Sequence, residues 1–333
     1  MKRITYIEIA RAVCIILVVV GHYIPEDSPA WYVTLHDAIY SFHMPLFMFV
    51  SGYVYRLSFR ETIRYKEFVR KKFNRLMIPY FLVSLFVISI KLLTERDLHV
   101  ENPVSLSSFY EIFYLPSAGA FLWFVYTLFF IFLIIPFFST GKKLVFLFVA
   151  SLILFILPVS FTRLFCMEYL RVNLVYFVLG CIMFQEIHAR AAAEKISPVL
   201  LFMVFSVLFM IENLYPGSQS ALISPFIHLG LAVSGIFLIL YISRCLESKE
   251  GLFKRLFLGL SVYSYTIYLL HTTFEGLAKA CLAGISVGLY WNNTFYFILQ
   301  AIIVIASGLV IPVILHRAYH GIRAKIRFRT RLQ

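Results

Sequence analysis

The sequence predicts an all-α membrane protein, a helical bundle of about ten transmembrane helices that forms one domain over residues 1–333. Two features predict this class. Hydrophobic residues make up 61% of the chain and charged residues only 14%, whereas soluble globular proteins carry roughly 25% charged residues. Apolar stretches also recur along the whole length, each near the roughly 20 residues that a spanning helix needs. We therefore expect a multi-pass protein of the cell (inner, cytoplasmic) membrane, with the lipid bilayer as its first partner.

Ten stretches of the chain are long and apolar enough to be predicted as spanning helices. The first carries Glu8 and Arg11 and has no small-residue cleavage site, so we interpret it as a retained helix and not as a signal peptide. The predicted helices cover residues 6–24, 38–57, 78–94, 119–139, 143–161, 169–187, 197–214, 222–242, 256–277 and 294–316.

The distribution of basic residues predicts that both termini lie in the cytoplasm. With this orientation, 24 of the 30 Lys and Arg residues fall on the inner side, many of them in a basic interfacial segment, 56–77, and a basic tail, 317–333. The outer loops "PEDSPAWYVTLHD", "YPGSQSA" and "AGISVGLYWNN" contain none. Retention of Lys and Arg in cytoplasmic loops is the rule for membrane proteins. The rule also accounts for the net charge of +13, so we expect no nucleic-acid partner.

The cysteines give no sign of a disulfide framework or of a metal site. The chain has five of them, scattered, odd in number and without a CxxC pair. Zinc sites and disulfide scaffolds both show regular cysteine spacing. We expect no metal.

Two polar residues within the first predicted helix raise the question of function. Arg11 and His22 are eleven residues apart, which places them on one stripe of a helix and about 16 Å apart along its axis. Glu8 is three residues before Arg11 and can pair with it. Arginine within a membrane costs roughly 2.5–3.5 kcal/mol, so it needs a partner or a water-filled cavity. One interpretation is that both side chains reach the two interfaces; the other is a polar lane across the protein.

Three further histidines fall at a similar depth and favour the polar lane, one of them His228 near the outer end of the eighth predicted helix. His43 lies about five residues into the second helix, which runs inward, and His271 about fifteen residues into the ninth, which runs outward. At 1.5 Å per residue both reach roughly the level of His22. A neutral imidazole is the usual general base near pH 7, so we expect His22, His43 and His271 to be candidates for catalysis.

Two motifs resemble a known family. "RAVCIILVVVGH" (residues 11–22) and "FHMPLFMFVSGY" (residues 42–53) are similar to the first two helices of the acyltransferase-3 superfamily of membrane O-acyltransferases, and more narrowly to its fucose 4-O-acetylase-like branch. The family's first helix has Arg or Lys, ten residues and then His, which Arg11 and His22 match, with an acidic residue three before the Arg, here Glu8. Weaker similarities, ending with "LGLSVYSYTIYLLH" (residues 258–271), extend along nearly the whole chain.

The resemblance implies an O-acetyltransferase that takes an acetyl, or other acyl, group from cytoplasmic acetyl-CoA. The acceptor would be a hydroxyl of a sugar in a cell-surface polysaccharide or its lipid-linked precursor. His22 would act as general base or as a covalent acyl relay, and Arg11 would hold the donor. A second group must stabilise the oxyanion. The sequence does not choose among His43, His271, Tyr53 and Trp123.

Candidate binding residues follow from the same reasoning. The donor phosphates would bind a basic cluster by charge-assisted hydrogen bonds, although such clusters are usually interfacial helices. The cluster consists of Arg70, Lys71, Lys72 and Arg75. Glu275 is one turn after His271 and would either orient it or pair with Lys279. Arg171 and Asn173 would bind sugar hydroxyls or be solvated loop residues. We group Glu8, Tyr53, Trp123, Arg171, Asn173 and Glu275 as substrate-binding candidates.

Two other function classes are consistent with these features: a transporter, and a catalytically inactive membrane scaffold in which Arg11 and His22 affect only stability. A transporter or flippase of a sugar-containing substrate would also carry a lane of ionisable residues. The sequence leaves open the acceptor sugar, the acyl length and the oligomeric state.

Overall fold

The structure is a computed structural model that describes residues 4–25, 28–59, 63–94, 103–185, 195–214, 223–285 and 294–329. Throughout these ranges the regular secondary structure is helical, which confirms the predicted all-α class. The helices are α1 (Thr5–His22), α2 (Ala30–Tyr40), α3 (His43–Ser58), α4 (Tyr65–Thr94), α5 (Ser108–Glu111), α6 (Trp123–Ile134), α7 (Gly141–Ile156), α8 (Met167–Gln185), α9 (Pro198–Leu214), α10 (Ser224–Glu247), α11 (Leu252–Ile285) and α12 (Thr294–Arg329).

Each of the ten predicted stretches overlaps at least one helix. Six helices of the described residues are long and apolar enough to cross a membrane. The helix α9 is apolar but shorter. A count of about ten spans and the cytoplasmic placement of both termini stay predictions. The six candidates cover Thr5–His22, Tyr65–Leu93, Ala120–Phe138, Leu164–Gln185, Ser224–Glu247 and Thr294–Gly321.

Two predicted boundaries are wrong. The outer loop predicted at 25–37 contains most of α2, and the stretch 38–57 is divided between the end of α2 and α3. Pro45, the third residue of α3, fits this division, because a proline has no N–H to donate and is favoured in the first turn of a helix. The basic segment 56–77 is not separate from the third span either. Its residues from Tyr65 onward belong to α4, which continues through Pro79 to Thr94.

The helices group into two compact units. Residues 41–242 form the central unit, and residues 3–40 and 243–333 form the terminal unit. In the central unit α3 packs tightly on α8 because each presents a glycine to the other. A methyl group at Gly52 would overlap the carbonyl of Phe177, and one at Gly180 would overlap the carbonyl of Phe49. Small residues at such crossings let two membrane helices approach closely.

In the terminal unit α11 packs against both α1 and α12, and α2 packs against α1. Two glycines permit close side-chain contacts here. A Cβ at Gly308 of α12 would lie 2.8 Å from Glu275 Oε1, and a Cβ at Gly21 of α1 would lie 2.9 Å from Tyr40 Cε2. The hydroxyl of Tyr32 also donates to the carbonyl of Val20 at 3.0 Å. These contacts fix α2 over the end of α1 that carries His22.

Candidate active site

The predicted pair at the start of α1 is present and is part of a three-residue group. Arg11 Nη2 donates to Glu8 Oε2 at 2.5 Å, and Ser261 Oγ of α11 donates to the same oxygen at 2.9 Å. Glu8 is buried. The ion pair with Glu8 offsets the free-energy cost of placing the charged Arg11 side chain within a membrane helix.

His22 is the last residue of α1, and its own helix fixes its tautomer. Nδ1 lies 2.7 Å from the carbonyl oxygen of Val18. Because a carbonyl oxygen only accepts, Nδ1 carries the proton, and in the neutral ring Nε2 has the lone pair. The ring is partly exposed. His22 therefore has the nitrogen and the access that a general base or a nucleophile requires.

His271 lies beside His22 and is held in the same way. The two ring centroids are 4.8 Å apart, and the ring planes are inclined by 88°. Nδ1 of His271 lies 2.8 Å from the carbonyl oxygen of Tyr268 and 3.2 Å from that of Ile267. Unlike His22, His271 is fully buried. The two rings are adjacent, in agreement with the predicted common level of these histidines, and the pair forms the centre of the candidate site.

Glu275 is one turn after His271 and is also buried. Its carboxylate packs against Gly308 of α12, where Val19 of α1 is the next neighbour. The Nδ1 atom of His271 is bonded to backbone carbonyls, so its orientation does not require a bond from Glu275 to that nitrogen. Lys279, the alternative partner, has its Nζ atom 5.7 Å from the ring centroid of Tyr23.

The other predicted catalytic and sugar-binding residues belong to the central unit. His43 is the first residue of α3 and is buried, as is Tyr53, whose ring lies 5.2 Å from that of Phe184. Trp123 is the first residue of α6 and stacks on Tyr169 with centroids 4.4 Å apart and planes 12° from parallel. Their predicted roles stay predictions.

Arg171 and Asn173 make bonds close to their own positions in α8. Arg171 Nη2 donates to Glu168 Oε1 at 2.6 Å, and its Nη1 donates to the carbonyl of Leu154 at 2.8 Å. Asn173 Nδ2 donates to the carbonyl of Tyr169 at 2.9 Å. The Arg171 contacts favour a role in joining α7 and α8, whereas the Asn173 contact stays within α8. Sugar recognition by these residues stays a prediction.

The basic residues of α4 do not share one environment. Arg70, Lys71 and Arg75 are exposed, and Arg70 lines a shallow cavity of about 350 Å³ with Tyr65, Lys66, Val69 and Phe73. Lys72 instead turns toward aromatic rings. Its Nζ atom lies 3.7 Å from the ring centroid of Phe132 and 5.3 Å from that of Phe68. Lys72 is therefore engaged in cation–π contacts and does not share the outward direction of its neighbours.

Sequence reasoning missed a polar group on α2. The rings of His36 and Tyr40 stack with centroids 4.2 Å apart, and His36 Nδ1 lies 3.0 Å from Asp37 Oδ1. Tyr40 in turn lies 6.3 Å from the ring of His22. The spacing of four residues between His36 and Tyr40 is a helical signal, but the predicted boundary at residue 38 places His36 in a loop.

A family model, Acyl_transf_3, described as an acyltransferase domain, matches residues 4–317. The chain belongs to the acyltransferase-3 family. No curated protein and no solved structure matches the chain significantly. Together with the spanning helices, the family makes this chain a multi-pass membrane acyltransferase.

The matched acyltransferase-3 region contains helices of both units and includes the imidazole pair. Acyl transfer needs a base or nucleophile and a group that stabilises the oxyanion. Within the terminal unit, His22 has a ring nitrogen suited to the base or nucleophile. In the described ranges, no three His, Cys, Asp or Glu side chains lie close enough together to hold a metal ion.

Proposed function

We propose that this protein is an O-acetyltransferase of the inner cell membrane. It would transfer an acetyl group from cytoplasmic acetyl-CoA to a sugar hydroxyl in a cell-surface polysaccharide or its lipid-linked precursor. The observation that carries the proposal is the pairing of a partly exposed His22 with a buried His271. The resemblance of residues 42–53 to the fucose 4-O-acetylase-like branch supports a sugar as the acceptor.

In direct transfer, Nε2 of His22 takes the proton of the acceptor hydroxyl as its oxygen attacks the thioester carbonyl. A C–O ester bond forms, the C–S bond breaks, and the imidazolium returns the proton to the sulfur, so that free CoA leaves. General base catalysis of this kind contributes typically 10²–10⁴-fold to the rate. In the relay alternative Nε2 attacks the thioester carbonyl, and the C–S bond breaks to release the CoA thiolate. The sugar hydroxyl then attacks the acyl-imidazole, the C–N bond breaks to restore His22, and the hydroxyl proton passes to the thiolate.

His271 acts as a positioning residue in this proposal. It is sealed from solvent, and its Nδ1 is bonded to the backbone. Edge-to-face contact restricts rotation of the His22 ring. Orientation of a reacting group is a large part of enzymatic rate enhancement.

Arg11 is the residue that would contact the acyl donor, acetyl-CoA. It lies eleven residues, about 16 Å, before His22 on the same stripe of α1, and Glu8 and Ser261 fix its position. A fixed guanidinium at this end would attract an anionic donor, while transfer occurs at the His22 end.

The test uses the full chain in nanodiscs with acetyl-CoA and a panel of sugars that occur in cell-surface polysaccharides. We expect a sugar to stimulate release of free thiol, and mass spectrometry to find the acetyl ester on that sugar. His22→Ala should reduce thiol release about 10²–10⁴-fold. His228→Ala is the matched control, because His228 is exposed, contacts Glu212 and belongs to the central unit.

Two results would contradict the proposal. One is full thiol release by a folded His22→Ala protein. The other is movement of a sugar substrate across a vesicle membrane with no thiol release, which would identify a transporter. Mass spectrometry of surface glycans from cells with and without the protein then identifies the acceptor.

A further inference from the structure

The end of α12 carries a polar cluster that no part of the proposed mechanism uses. It joins α12 to α11 through His316, whose Nδ1 atom lies 2.9 Å from Thr266 Oγ1. The His316 ring is 4.4 Å from that of His320, one turn later, and 5.2 Å from that of Tyr263. When Thr266 donates to Nδ1, Nε2–H of His316 remains as a donor.

Arg317 completes this cluster. Its Nε atom donates to the hydroxyl of Tyr263 at 3.1 Å, and its guanidinium carbon lies 5.4 Å from the centroid of the same ring. Within the described part of the chain, no carboxylate forms a salt bridge with Arg317. The Tyr263 hydroxyl thus holds one edge of the Arg317 guanidinium, and because this hydroxyl is uncharged, the positive charge of Arg317 is not neutralised.

We propose that this cluster is a phosphate-binding site for the nucleotide end of the acyl donor; this inference rests on the proposed function. A guanidinium presents paired N–H donors that match phosphate oxygens, and charge-assisted bonds of this kind are stronger than neutral ones. Two imidazoles and a hydroxyl beside it add further donors. Acyl-CoA carries a pyrophosphate and a ribose phosphate, which suit such a set.

The position of the cluster supports this assignment. Thr266 precedes His271 by five residues of α11, a rise of about 7.5 Å. His316 follows Gly308, which contacts Glu275, by eight residues of α12, about 12 Å. The cluster therefore shares both of its helices with the environment of the imidazole pair and is displaced along them. The pantetheine arm would extend from the cluster toward His22.

The basic residues of α4 are the competing donor site. They belong to the central unit, and Lys72 is engaged by aromatic rings. A phospholipid headgroup is a second source of phosphate for the α12 cluster, because Arg and Lys near a membrane surface attract anionic lipids. The experiment therefore separates the nucleotide from the lipid.

The test measures binding of adenosine 3′,5′-bisphosphate to the full chain in nanodiscs of phosphatidylcholine alone. We expect Arg317→Ala, and separately the double variant His316→Ala/His320→Ala, to weaken binding about tenfold or more. Arg255→Ala, an exposed arginine of α11, is the control and should bind as the wild type does. Arg317→Gln, which keeps most of the side chain, guards against a folding defect, and each variant is compared by thermal unfolding.

Wild-type affinity in the folded Arg317 variants would overturn the inference, and loss of binding in Arg75→Ala alone would move the site to α4. Unchanged nucleotide binding with reduced binding to phosphatidylglycerol vesicles would identify a lipid headgroup site instead. Turnover at saturating acetyl-CoA separates this inference from the proposed function. Failure of the proposed function appears as absence of turnover in the wild type, whereas failure of this inference appears as wild-type nucleotide affinity in the Arg317 variants.

Discussion

His22 and His271 lie 4.8 Å apart with their rings at right angles, and each donates its Nδ1 proton to a carbonyl of its own helix. The two residues are 249 positions apart in sequence and come from α1 and α11. One ring is accessible and the other is sealed. The pair therefore divides into a reacting imidazole and a supporting one.

Replacement of His271 tests this division. We expect His271→Ala to lower kcat about tenfold to a hundredfold with little change in the acceptor KM, because the His22 ring loses the contact that orients it. His271→Phe restores a ring without a nitrogen and should recover part of kcat. Equal loss in both variants would show that the nitrogen of His271 takes part in the chemistry.

Arg11→Ala should raise the acetyl-CoA concentration needed for half-maximal rate about tenfold, since one charge-assisted bond to the donor is lost. Ser261→Ala removes a hydroxyl that lies 2.9 Å from Glu8 Oε2 and 2.9 Å from the carbonyl oxygen of Leu258, and it leaves Arg11 in place. It should therefore lower the free energy of unfolding by about 0.5–1.5 kcal/mol and change donor dependence little. Steady-state kinetics over a range of acetyl-CoA concentrations, with thermal unfolding, measures both effects. An unchanged donor dependence in Arg11→Ala would place the donor elsewhere.

Gly308→Ala should destabilise the terminal unit by about 1–3 kcal/mol and reduce turnover. The added methyl would lie 2.8 Å from Glu275 Oε1 and 3.1 Å from Val19 Cγ1, so α11 and α1 must both adjust. Gly321→Ala is the matched control on α12, because nothing lies within 4 Å of a Cβ at that position. Thermal unfolding of the two variants should differ clearly; equal stability would mean that the Glu275 carboxylate moves away at no cost.

Lys72→Met should leave the acetyl-CoA dependence within about twofold of the wild type. The Nζ atom lies over the Phe132 ring, so its removal affects a cation–π contact worth roughly 0.5–1 kcal/mol and not a phosphate ligand. Kinetics with acetyl-CoA as the varied substrate checks this. A tenfold rise in a protein of unchanged stability would return Lys72 to the donor site.

Helical periodicity predicts most of the helices and brings the two imidazoles of the candidate site to one level. The rise of 1.5 Å per residue placed His22 and His271 at one depth, and the i,i+3 rule paired Glu8 with Arg11. The i,i+3 rule uses only positions within one helix, and the helical rise gives only the depth of a residue along the membrane normal. Such predictions need no knowledge of which helices are neighbours.

The features that the sequence did not predict depend on which helices are neighbours or on where a helix is interrupted. The α2 helix was missed because Pro29 and the polar residues around it favoured a loop. The cluster around His316 was missed because its contacts join residues about 50 positions apart, in a register between α11 and α12 that periodicity does not give. Likewise, the different environment of Lys72 among its basic neighbours depends on Phe132, a residue of α6.

The bond from His22 to the Val18 carbonyl also restricts how the two substrates arrive. With one nitrogen committed to its own backbone, the imidazole offers a single reactive edge. Thioester and alcohol must then converge on that edge from separate approaches, and neither can use the opposite side of the ring. An inhibitor that joins an acyl-chain mimic to a sugar through a bent linker would fit this geometry better than a straight one.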